Sequence, residues 1–175
     1  MSIYQKLTRI GSKFAGMSTL LKTGLNLSPM YRRSTAKVLY VSEDMMHIKI
    51  RLSISYKNRN YMNTIFGGSM FAAVDPIPMM QYVNLLGKDY VVWDKSAEIF
   101  FRRPAKEDLY ASFDCTPEEI AGIKDRIEKE QSIDIVKKTQ LTGKDGSVIF
   151  CEVNKTIYIA DKTYYKNRRT EKNKS

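Results

Sequence analysis

Residues 66–86 carry a single formal charge, that of Asp75. A helix that is apolar nearly all round has no face to offer water, so it belongs in the middle of a fold. Gly87 closes the stretch as a C-terminal cap. Pro76 and Pro78 lie inside it. Each removes a backbone donor and crowds the preceding turn, so a helix must kink or break there. At this length, with two prolines, the stretch makes a poor membrane span.

The segments on either side repeat with a period of two. Ala36, Val38 and Tyr40 alternate with Lys37, Leu39 and Val41, which predicts a first strand. Met46, Ile48, Ile50, Leu52 and Ile54 alternate with His47, Lys49, Arg51 and Ser53, a half-buried second strand. That phase puts His47, the only histidine, on the polar face and away from catalysis. Residues 56–64 are polar and turn-rich. Further strands are predicted over 90–102, 109–115, 133–141 and 148–159. Residues 142–147 form a glycine-containing hairpin turn between the last two. Thr116-Pro117-Glu118-Glu119 opens a charged outer helix to about residue 130, with Thr as cap and Pro at the first position. Six strands and one apolar helix after the second predict an α+β fold, a curved antiparallel sheet wrapped around that helix.

The net charge of +10 is uneven: +9 over residues 1–60, −4 over 61–161 and +5 over 162–175. The predicted divisions are an N-terminal amphipathic helix and linker (1–30), the α+β domain (31–161) and a basic, frayed tail (162–175). A DNA reader carries its basic residues on the docking element of the fold. Here they sit at the ends, and no nucleic acid is expected. Ile3, Leu7, Ile10, Phe14, Met17 and Leu21 mark one apolar helical stripe, with Lys6, Arg9, Lys13 and Lys22 around it. Such a helix can dock on the domain, touch a membrane surface or serve as a mitochondrial leader. Docking is the first expectation. Two cysteines cannot build a disulfide framework, which points to a reducing compartment. The cytoplasm is expected, or the mitochondrion if the chain is eukaryotic.

Chemistry concentrates between Asn60 and Asp75. Gly67 and Gly68 open the central helix, where unpaired N–H groups and a partial positive charge meet the solvent. Glycine lets a ligand approach that backbone closely. A carbonyl oxygen held there is polarised, and the charge it gains under attack is stabilised. Asp75, eight residues on, is a carboxylate in apolar surroundings and can serve as general base or nucleophile. The combination suits acyl transfer to water. A Gly-Gly pair also occurs simply for tight packing, and a buried Asp is often structural.

The stretch resembles the hotdog-fold thioesterases of the phenylacetate-degradation type. Their pattern is Asn, a Gly three residues later, His-Gly-Gly, and an acid eight positions after the first of those glycines. Asn60, Gly67, Gly68 and Asp75 match. Asn63 stands at the first glycine position and tolerates the same left-handed backbone, and Phe66 replaces the histidine. The runs Tyr31-Arg32-Arg33, Arg59-Asn60-Tyr61, Phe66-Gly67-Gly68-Ser69, Val74-Asp75-Pro76, Tyr90-Val91-Val92-Trp93-Asp94-Lys95 and Phe101-Arg102-Arg103-Pro104 resemble a bacterial hotdog branch. That branch is described as a domain of unknown function and often labelled acyl-CoA thioesterase.

The resemblance implies a homodimer, or a dimer of dimers, with sites at the subunit interface. It implies Gly67 as oxyanion donor with Gly68 beside it, Asp75 as base or nucleophile, and Asn60 orienting water or thioester. The substrate class is then an acyl-CoA or acyl-carrier protein. Gly68, Phe66 and Asn63 are candidates for substrate binding. Met70, Phe71, Met79, Met80 and Tyr82 could line an acyl channel, since Met adapts to flexible chains, though residues of this kind are more often ordinary core. Arg102 and Arg103 are candidates for phosphate contacts. The chemistry calls for no cofactor and no metal. An acyl-binding protein without turnover is the alternative, and a surface binder acting through the basic ends is a weaker one.

Overall fold

The computed structural model describes residues 16–172. Helix α1 (Met17–Leu27) leads through a single turn, α2 (Pro29–Arg32), into strands β1 (Ala36–Val41) and β2 (His47–Leu52). The apolar stretch follows as two helices, α3 (Gly67–Val74) and α4 (Pro76–Leu86). Then come β3 (Tyr90–Phe101), β4 (Leu109–Asp114), α5 (Pro117–Glu130), β5 (Ser132–Thr142), β6 (Ile149–Asp161) and α6 (Lys162–Lys172). The six strands form one curved antiparallel sheet in the order β1-β2-β4-β5-β6-β3. Strand β3 therefore crosses to the far edge, and its outer side pairs with no described strand.

The central helix breaks at Asp75. Pro76 and Pro78 lack the amides that would bond the carbonyls of Ala72 and Val74, so two helices replace one. Met70, Ala73, Val74, Ile77, Gln81 and Tyr82 are buried beneath the sheet. Tyr31 reaches the helix from the other side: it is fully buried, and its hydroxyl donates to the Ala73 carbonyl at 3.0 Å.

Strands β4 and β5 share only the pair Tyr110–Thr142, so the sheet splays at its middle. Gln81 ties the central helix to the β2/β4 side of the split, and Lys137 bridges it. Gln81 Nε2 donates to the carbonyls of Met45, Met46 and Phe113. Lys137 Nζ donates to the Asp114 carbonyl and to Glu119. Helix α5 covers this half with Ile120, Ile123 and Ile127, and Thr116 caps it by accepting from the Glu119 amide.

Three details depart from expectation. A bulge between Val38 and Tyr40 shifts the phase of β1, so Val41 turns inward and Tyr40 outward. The helix at the N-terminal end runs on to Leu27, with Leu21 and Leu25 buried against β1. Ile3, Leu7, Ile10 and Phe14 of its predicted stripe lie outside the described residues. Asn26 in α1 also bonds both backbone groups of Val38, at 2.8 and 2.9 Å, and so covers the free edge of β1. Finally, residues 162–172 are helical rather than frayed. The Asp161 carboxylate accepts the Thr163 and Tyr164 amides and starts α6.

The Tyr31 hydroxyl makes a buried hydrogen bond to the central helix. Tyr31→Phe should lower unfolding free energy by about 1 kcal/mol, read by urea denaturation, with secondary structure unchanged.

Candidate active site

The loop 56–64 ends in a tight turn that delivers the chain to α3. Asn60 Oδ1 accepts from the amide and the hydroxyl of Thr64, both at 3.1 Å. The Asn63 amide bonds the Asn60 carbonyl, and Asn63 takes a left-handed backbone, φ +62°. Asparagine thus does the conformational work of the glycine it replaces. The Phe66 amide donates to the Asn58 carbonyl, and the Ile65 amide to Ala105, which pins the start of α3.

Phe66 is the N-cap of α3 and offers no side-chain acceptor. Its carbonyl receives the Ser69 and Met70 amides. The amides of Gly67 and Gly68 have no partner among the described residues. They open on a cleft of about 720 Å³ lined by Asn60, Met62, Thr64, Phe66, Met70 and the run Phe101–Pro104 with Lys106. Both glycines are needed for close approach. A Cβ on Gly67 would lie 2.7 Å from the Phe101 ring, and one on Gly68 only 2.3 Å from the Phe66 ring. Where the resembling family has a histidine, an aromatic ring folds over the helix start.

Arg102 stands at the mouth of the cleft, its guanidinium 4.8 Å from the Phe100 ring centre and 3.3 Å from Glu152 Oε1. Glu152 is buried and also takes Lys138 at 2.8 Å and Gln140 at 2.9 Å. These hydrogen bonds, that of Lys138 first, hold its carboxyl down at about 2, from an ordinary 4.5. Arg103 is exposed, with its amide on the Phe150 carbonyl. Arg102, Arg103 and Lys106 are the charged residues lining this cleft, and all three are cations.

Asp75 is not in the cleft. It sits at the far end of α3, eight residues from Gly67, or roughly 12 Å along the axis. Its Oδ1 accepts from Lys155 Nζ at 2.6 Å, and its backbone carbonyl accepts from the same nitrogen. Lys155 Nζ also reaches Asp94 Oδ2 at 2.8 Å. The lysine side chain is 4% exposed, against 41% for Asp75 and 31% for Asp94. Burial pushes the Asp94 carboxyl above its ordinary value; Lys155 opposes this and the Asp75 charge adds to it.

One chain therefore gathers Asn60, Phe66, Gly67, Gly68, Arg102 and Arg103, with Asn63 in the adjoining turn. Met79 and Tyr82 lie elsewhere. Tyr82 is fully buried and donates to Glu119 at 2.5 Å. Burial, reinforced by Glu119, pushes its phenol far up. Met79 packs in that same core. Both lie on α4, in the cluster that Ile120, Ile123 and Ile127 of α5 complete, and not on the cleft. Lys155, Lys106 and Phe101 were not anticipated. Lys155 carried a signal: it interrupts the inward row Cys151, Val153, Ile157, Ile159 of β6.

The chain belongs to the family described as "Domain of unknown function (DUF4442)", which matches residues 18–159. No functionally curated protein matches it in sequence. Among solved structures it is similar to a Pseudomonas aeruginosa protein of unknown function described as a probable thioesterase. That pair has 16% identity and a TM-score of 0.71, covering 82% of this chain and 95% of that one. A Haemophilus influenzae thioesterase has 12% identity and a TM-score of 0.59, covering 82% and 90%. Zebrafish thioesterase superfamily member 2 has 15% identity and a TM-score of 0.56, covering 80% and 96%. The fold is the hotdog fold. No helix among the described residues is long and apolar enough to cross a membrane.

Glu152 anchors Arg102, and its depressed carboxyl makes that anchor pH-dependent. A carboxyl held low in the folded state stabilises above its unfolded value and loses that contribution as pH falls through the folded one. Urea unfolding should show Glu152→Gln less stable than wild type at pH 7. The gap should close between about pH 4.5 and about 2.

Proposed function

We propose that this member of the family hydrolyses an acyl thioester, of coenzyme A or of acyl-carrier protein, in a site assembled from two copies of the chain. The observation that carries the reading is the pair of unpartnered amides, Gly67 and Gly68, at the start of a helix facing an apolar cleft rimmed by cations. Donors preorganised in this way are suited to charge that develops on a carbonyl oxygen. Met62, Phe66 and Met70 suit the acyl group. Arg102, Arg103 and Lys106 suit the phosphates of coenzyme A or of a carrier's prosthetic arm. The thioesterase names of the Haemophilus and zebrafish neighbours support the same reaction class.

In the proposed reaction the thioester carbonyl accepts from Gly67 N–H, with Gly68 beside it. The Asp75 carboxylate removes a proton from water as the water oxygen attacks the carbonyl carbon, or attacks that carbon itself. The tetrahedral intermediate collapses, the C–S bond breaks and the thiolate takes up the proton that Asp75 drew from water; where Asp75 itself attacks, the acyl–Asp75 anhydride left behind is opened by water, which frees the acid, restores the carboxylate and supplies the proton to the thiolate. Oδ1 of Asn60 is committed to Thr64, which leaves its Nδ2 to orient water or substrate.

Gly67 and Asp75 of one chain are too far apart to meet on one carbon. The unpaired outer edge of β3, with Trp93, Phe100 and Phe101 exposed, supports a second copy docked there. Antiparallel pairing of two β3 edges about a two-fold axis near the middle of the strand sets the Asp94 end of one copy beside the Phe101 end of the other. It thereby brings one Asp75 toward the other copy's Gly67. Dimers of this kind are the reading's oligomeric state, and pairs of dimers are compatible with it. The alternative, acyl binding without turnover, draws on Phe66 in the histidine position and on the engagement of Asp75 by Lys155.

Thiol release from a panel of acyl-CoAs, short to long and aryl, tests the reading. Wild type should turn over, and Asp75→Asn should lose roughly a hundredfold or more in kcat. Binding without turnover in both proteins would instead support the acyl-binding alternative. Sedimentation equilibrium should give at least twice the mass of one chain, whereas a monomer at micromolar concentration would contradict the shared site.

A further inference from the structure

Lys155 occupies a position that packing alone would give to a hydrophobe. It lies in the inward row of β6, between Val153 and Ile157, both buried. An ammonium has three donors and tolerates burial only when they are satisfied. Here three acceptors receive them: the Asp75 carbonyl, Asp75 Oδ1 and Asp94 Oδ2. Two of the three belong to the residue at which the central helix breaks. The other oxygen of that carboxylate, Oδ2, has no partner among the described residues, and the Asp75 side chain is partly exposed. One oxygen is clamped and the other is presented.

We propose that Lys155 is a positioning residue for the hydrolysis. It clamps Oδ1 and the main chain of Asp75, so that Oδ2 faces the reacting carbon, and it offsets the nearby charge of Asp94. The inference rests on the thioester-hydrolase reading. Asp94 acts through the same nitrogen: it shares the ammonium with Asp75 and fixes it from the β3 side. A carboxylate freed of this clamp keeps its chemistry but loses its aim, and a misplacement of about 1 Å can cost a hundredfold in rate. Substrate binding, which draws on the cleft around Gly67 and Arg102, should be little affected.

The test compares wild type, Lys155→Met, Lys155→Arg and Lys155→Met/Asp94→Asn in steady-state thioester hydrolysis, with thermal unfolding of each. Lys155→Met should lower kcat at least about tenfold with KM within about twofold. Lys155→Arg, which keeps the charge, should recover most of the loss. The double variant removes the repulsion between the two carboxylates. Its melting temperature should return toward wild type while kcat stays low. A folded Lys155→Met with wild-type kcat, or a double variant that regains kcat, would overturn the positioning role and leave the hydrolase reading intact. A wild type inactive on every thioester would overturn the hydrolase reading, and this inference with it.

Discussion

The ammonium of Lys155 holds together the three parts of the molecule that matter most. It rises from β6, grips the break in the central helix and reaches edge strand β3 through Asp94. Pro76 and Pro78 make a continuous helix impossible, so something must fix how its halves meet. A charged group with three satisfied donors has few acceptable geometries. Tyr31, bonded to the Ala73 carbonyl two residues earlier, adds a second buried hydrogen bond near the joint.

The break divides the labour of the helix. Its first half begins with two glycine amides that have no partner among the described residues. It ends with a carboxylate that one lysine holds. These are the two ingredients of acyl transfer, placed at opposite ends of α3. In the proposed reaction a second copy, docked on the β3 edge that pairs with no described strand, brings them onto one carbon. The same geometry accounts for both glycines. Phe101 lies against Gly67 and Phe66 against Gly68, so the donors sit at the base of an apolar wall.

Most of the fold was legible in the sequence because its signals are local. The period-two runs mark the strands, Thr116-Pro117 marks the start of α5, and the charge-poor stretch marks the central helix. What was not legible depended on contacts between distant segments. The bulge that turns Tyr40 outward has no composition of its own. The helix at the C-terminal end depends on Asp161, which sequence reading placed past the last strand, at the boundary with the tail. At the site, Asn60, Gly67, Gly68 and Arg102 stood out, and the structure places them around one cleft. Tyr82 looked equally suitable on a linear reading, but its hydroxyl is committed to Glu119 in the core. Lys155 was readable only as an inward-facing lysine in a strand, and its meaning came from Asp75, eighty residues away.

The shared site is the central claim, and subunit complementation tests it most directly. Gly67→Pro removes the oxyanion amide at a first helical position that suits proline's backbone, and its ring, which meets the Phe101 side chain, obstructs the same half-site. Asp75→Asn removes the carboxylate. Each variant alone should be nearly inactive toward a thioester that wild type hydrolyses. Mixed, dissociated and reassociated, they should form heterodimers with one intact site, made of Gly67 from one copy and Asp75 from the other. Turnover should then return to about a quarter of wild type, since about half of randomly paired dimers are mixed and each has one working site of two. Turnover that stays at the level of the separate variants, with mixed dimers confirmed by mass, would contradict the account.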